Sequence, residues 1–91
     1  MSVQERRVTI CNARGLHARA AAKFVQTAQE FSADIHVARD GERAPADSIM
    51  DLLMLAAGKG SEICITAEGD EALAAADALA ELVEAGFHET E

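Results

Sequence analysis

One histidine in this chain stands where it can do chemistry. His17 ends the polar loop of residues 12–16 and opens an alanine-rich run broken only by Arg19 and Lys23 as far as Val25. Gly15 supplies backbone freedom for the turn, and Leu16 is apolar enough to anchor it. The pattern predicts a helix that starts directly after His17. The first turn of a helix carries N–H groups without intrahelical partners and the positive end of the macrodipole, so an anion on or beside the imidazole finds donors there. Arg19 adds a planar fork suited to phosphate oxygens. Together these residues describe a phosphate seat with a nucleophile inside it, although caps, surface residues and satisfied core groups also account for many histidines at helix starts.

The remaining titratable residues carry less. His36 falls on the outward side of an alternating stretch and His88 lies in the tail, and neither is assigned a role. Cys11 and Cys64 have no metal-type or redox-pair spacing and are read as structural thiols. No metal and no cofactor are expected.

Charge is distributed unevenly. Residues 1–29 have a balance of +4 and residues 30–91 one of −12, for a net charge of −8. Basic charge therefore gathers on the segment that would hold the anion, with Arg14, Arg19 and Lys23 nearest to His17, whereas Arg6 and Arg7 are expected to be solvated strand-end charges. The acid excess and the lack of aromatic platforms argue against nucleic acid as a partner. No apolar run is long enough to span a membrane, and MSVQERR has no secretory hydrophobic stretch, so a cytoplasmic protein without membrane insertion is expected.

Positioning His17 requires a scaffold, and 91 residues suffice for one domain, 1–91, with a core of Leu, Ile, Val and Ala. Alternation predicts a first strand over residues 3–11. A helix follows over 18–31, with Ala21, Phe24, Ala28 and Phe31 inward. Ile35 and Val37 mark a second strand, Asp40-Gly41 a hairpin, and residues 43–46 a weak edge strand containing Pro45. Ser48 reads as the N-cap of a second helix with Asp51 completing an approximate capping box, and Gly58 as its end. Ile63 and Ile65 mark the last strand. Asp70 is expected to cap the final helix, whose inward stripe is Ala72, Ala76, Leu79 and Leu82 or Val83, with Gly86 closing it. The order is βαββαβα: an α+β fold with a four-stranded antiparallel sheet and three helices on one face.

The second helix is apolar nearly all round. Leu52, Leu55 and Ala56 are assigned to the core, which leaves Ile49, Met50, Leu53 and Met54 as an exposed patch, and such a patch on a small protein marks a partner-binding surface. Ala18 and Ala20, beside His17, are assigned to the same surface. Burial of the whole helix, or its cover in a dimer, is the competing reading.

The run GLHAR followed by AAAKFV, with SIMDLLMLAAGKG and ITAEG later in the same order, resembles HPr, the histidine phosphocarrier family of the phosphoenolpyruvate-dependent phosphotransferase system. The resemblance covers nearly the whole chain. It implies an open-faced β-sandwich, phosphorylation of His17 on Nδ1 with Arg19 steadying the group, enzyme I as donor and an EIIA-type protein as acceptor, in sugar transport or in nitrogen and carbon signalling. A monomer is expected. LLMLAAGKG and the GF near the end look more like the nitrogen-related NPr branch. Ser48 matches the position that an HPr kinase phosphorylates in some lineages. Where the family usually has proline after the arginine, this chain has Ala20, which leaves the helix start less rigid. A regulatory interaction module that works through the second helix, without phosphoryl turnover, is the alternative function.

Overall fold

Alternating burial builds the sheet, and apolar stripes lay the helices against it. The computed structural model describes residues 3–89. In chain order the elements are β1 (Val3–Thr9), α1 (Ala18–Ala28), β2 (Asp34–Arg39), β3 (Glu42–Pro45), α2 (Ile49–Met54), β4 (Glu62–Glu68) and α3 (Ala72–Glu84), followed by a single turn at Gly86–His88. All strand pairings are antiparallel, in the order β1-β4-β2-β3. The expected α+β architecture is the one observed. The Asp40-Gly41 hairpin pairs Arg39 with Glu42, and Pro45 lies on the edge strand β3, where a missing N–H is tolerated.

Small residues let the helices approach closely. Ala20, Ala21, Ala72, Ala75 and Ala76 are fully buried, and the larger side chains Phe24, Ile10, Leu52, Ile63, Ile65, Leu79 and Phe87 fill the space between them. Cys64 lies partly buried on β4, and burial, followed by the nearby Glu5 carboxylate, raises its thiol pKa. It is a poor source of thiolate, in keeping with a structural residue.

Several boundaries differ from the sequence expectation, each for a local reason. β1 ends at Thr9, because Ile10 hydrogen-bonds the turn before β4, donating to Ser61 O and accepting from Gly60 N, both at 2.8 Å. α1 stops at Ala28 rather than at residue 31, and Phe31 packs half-buried beyond its end. α2 ends before Gly58: Ala56 takes a positive φ of 52° and turns outward, so Ala57, not Ala56, enters the core. Arg39 Nη1 caps that exit by donating to Leu55 O at 3.0 Å. Asp70 does not cap α3. The cap position is Glu71, whose side chain instead accepts from Ser32 N at 2.6 Å. Arg6 is not simply solvated, since its Nε and Nη2 both donate to Asp77 Oδ1 on α3, at 3.2 and 2.9 Å.

The loop before α1 is fixed by one close approach. At Gly15 φ is +66°, and a Cβ there would lie 2.6 Å from Ala57 O and 2.8 Å from Gly58 Cα. Both the conformation and the space require glycine. Replacing Gly15 by Ala is expected to cost about 2 kcal/mol or more in urea unfolding, through left-handed strain plus displacement of backbone; a cost under about 0.5 kcal/mol would contradict this packing.

Candidate functional site

The site begins with how the chain delivers His17. Gly15 N donates to Asn12 O at 3.1 Å, the buried Asn12 side chain returns a bond from Nδ2 to Gly15 O at 2.8 Å, and Leu16 N donates to Ala57 O at 2.8 Å. Leu16 is buried, so the loop is pinned on both sides of the glycine. His17 then takes the N-cap position with an extended backbone (φ −81°, ψ 180°), and its carbonyl accepts from Ala21 N at 2.8 Å, opening α1. The imidazole makes no cap bond. The N–H groups of the first helical residues therefore have no intrahelical partner and surround the ring's attachment point.

The other half of the site comes from the far end of the chain. Past α3, Gly86, Phe87 and His88 all have positive φ (64°, 56° and 58°). For the two non-glycine residues this costs roughly 1–2 kcal/mol each. Burial offsets it: Phe87 is completely enclosed, worth about 1.5–3 kcal/mol, and Lys23 Nζ donates to its carbonyl at 2.7 Å. Gly86 lies against Asn12 and Cys11, where a Cβ would sit 3.6 Å from Asn12 Cβ and 3.7 Å from Cys11 Sγ. The turn thereby carries Glu89 over His17. Glu89 Oε2 pairs with His17 Nε2, and Oε1 accepts from Asn12 Nδ2 at 2.9 Å. The hydrogen bond with His17, then that from Asn12, holds the Glu89 carboxyl below the ordinary glutamate range. Asn12 Oδ1 is buried and finds no donor among the described residues.

Around this pair lies an open pocket of about 490 Å³ lined by Arg14, His17, Arg19, Lys23, His88 and Glu89, with Ala13. Three permanent cations and a half-buried imidazole at a helix start make a place for a small, multiply charged anion. Arg19 is exposed on the pocket wall.

The patch expected to bind partners differs from the sequence expectation at two residues. Ile49, Met50 and Met54 are exposed (38, 69 and 72%), and Ala18 is exposed beside His17. Ala20, however, is wholly buried, because the third residue of α1 turns its side chain into the core. Leu53 is only half-buried and packs against the core from the flank of α2. Ser48 caps α2 as expected, its Oγ accepting from Asp51 N at 3.2 Å. Glu89 and Asn12 carried no signal in the sequence reading. Only the left-handed turn brings Glu89 to His17.

The whole chain is similar to known phosphocarrier proteins. The family described as PTS HPr component phosphorylation site matches residues 4–85. Phosphocarrier protein NPr from Shewanella violacea is 47% identical over 98% of this chain and 98% of its own length. Phosphocarrier protein HPr from Cupriavidus necator is 42% identical over 96% and 98%. The crystal structure of HPr-C-His from Thermoanaerobacter tengcongensis superposes with a TM-score of 0.91 at 42% identity, covering 97% of this chain and 99% of that one.

Because the carboxyl of Glu89 is shifted down in the folded chain, its contribution is complete above the ordinary glutamate value of about 4.3 and is lost as pH falls through the lower folded value. Following the Glu89 carboxyl carbon by NMR, we expect a midpoint below that of glutamate in a peptide. In His17→Ala the midpoint moves back up, since the largest cause is gone. An ordinary midpoint in the unaltered chain would contradict the contact.

Proposed function

The chain belongs to the HPr family of phosphocarrier proteins of the phosphotransferase system, and on that premise we propose that His17 is its phosphoryl acceptor, with Arg19 as the companion. The observation that carries this reading is the half-buried imidazole at the open N-terminus of α1, facing a pocket of arginine and lysine. A neutral ring nitrogen attacks the phosphorus of phosphorylated enzyme I. The first-turn amides and Arg19 disperse charge on the equatorial oxygens, and the partner supplies the in-line geometry. The N–P bond is labile, so an EIIA-type acceptor takes the group on. The protein is a shuttle in the cytoplasm, acting as a monomer.

Partners dock, in this reading, on Ile49, Met50 and Met54. Leu16, next to His17, is hydrogen-bonded to Ala57, three residues past the end of α2, which keeps patch and ring on one rigid unit. Phosphorylation of Ser48 by a kinase of the HPr type would set a dianion among Asp47, Asp51 and the patch and weaken docking. The NPr relative and the LLMLAAGKG run support the nitrogen-related branch. The exposed methionines also favour a second reading, a regulatory module that binds through α2 without turnover at His17.

Incubation with phosphoenolpyruvate and active enzyme I, followed by intact mass measurement, separates the two. One acid-labile phosphoryl group is expected on the unaltered chain and on His36→Ala, and none on His17→Ala. An unlabelled chain would leave the regulatory module as the function. Met50→Glu combined with Met54→Glu is expected to slow transfer about tenfold or more while leaving the unfolding midpoint nearly unchanged, as for residues outside the core; a collapsed fold would contradict their assignment to solvent.

A further inference from the structure

We propose that Glu89 is a positioning residue for phosphoryl transfer: by accepting the Nε2–H of His17 it holds the imidazole in the tautomer whose lone pair is on Nδ1. The proposal rests on the carrier reading of His17 and adds to it a residue from the far end of the chain.

The assignment follows from counting donors. A glutamate carboxylate only accepts hydrogen bonds, so the hydrogen between Glu89 Oε2 and His17 Nε2 belongs to the ring. Its other oxygen, Oε1, is engaged by Asn12 Nδ2. Asn12 is itself locked by its second bond, to Gly15 O, which fixes the carboxylate in place. Lys23 directs its ammonium to the Phe87 carbonyl. Arg14 and Arg19, also on the pocket, carry only donors, and His88 offers a ring N–H, so each is able to donate to the carboxylate and leaves it in its accepting role. In a neutral imidazole with hydrogen on Nε2 the lone pair lies on Nδ1, and a hydrogen bond at one ring nitrogen sets the tautomer at the other.

The step balances with the proton fixed. The Nδ1 lone pair forms the N–P bond as the bond from phosphorus to the phosphorylated donor protein breaks, its electron pair leaving with the donor. The hydrogen stays on Nε2 throughout, and the positive charge that attack places on the ring faces the Glu89 carboxylate. On transfer to the acceptor the N–P bond breaks and its pair returns to Nδ1.

The test uses the full-length ¹⁵N-labelled chain. Long-range ¹H–¹⁵N correlation on neutral His17 should show hydrogen on Nε2, as a ring N–H protected from solvent exchange. Glu89→Ala should lose that protected signal and accept phosphate from phosphorylated enzyme I about tenfold more slowly, the scale of losing a carboxylate that orients a histidine. Glu89→Gln keeps an accepting oxygen and should recover the ring signal and most of the rate. Hydrogen on Nδ1 in the unaltered chain overturns the proposal, as does a Glu89→Ala protein in which either the ring signal or the rate is unchanged. If the unaltered chain accepts no phosphate from active enzyme I, the carrier reading fails, and the ring spectrum still reports separately whether Glu89 sets the tautomer.

Discussion

A single backbone hydrogen bond, Leu16 N to Ala57 O, fixes where the imidazole stands, and it forms only because residue 15 has no side chain. At that point the loop before α1 lies directly on the segment leaving α2. The helix that carries His17 and the helix that carries the exposed methionines are thereby held to one another through backbone. Rigid placement matters here because a carrier contributes little covalent chemistry beyond a nucleophile in the right place.

Opposite this joint, a strained turn brings the tail back. Three consecutive residues in left-handed conformation persist because Phe87 is enclosed in the core and Lys23 holds its carbonyl. The result is a short non-local network, Glu89–His17 and Glu89–Asn12–Gly15, that ties residues more than seventy positions apart. It places a negative group within a pocket otherwise rich in positive charge. The carboxylate meets the ring at Nε2, so the cations of Arg14, Arg19 and Lys23 stay on hand for an incoming anion.

Much of this was legible from residue patterns. Alternation marked β1, β2 and β4, Asp40-Gly41 the hairpin that leads into β3, and Ser48 the cap of α2, because each is dictated by local geometry. His17 and Arg19 were legible from the loop-to-helix transition and from the resemblance carried by GLHAR. What escaped was non-local. Nothing adjacent to Ala56 announces a positive φ that ends α2 early. Ala20 follows an exposed arginine, yet the helical turn sends it inward. Arg6 finds Asp77 only once α3 lies across β1. Glu89 escaped most completely, since its role depends on a left-handed turn in a segment with no periodic pattern.

The central claim is that His17 carries phosphate on the ring nitrogen that Glu89 leaves free. The direct measurement is one-bond ³¹P–¹⁵N coupling in the phosphorylated, ¹⁵N-labelled protein. Coupling to Nδ1 of His17 is the predicted result; coupling to Nε2, or phosphorus attached to any other residue, would contradict it.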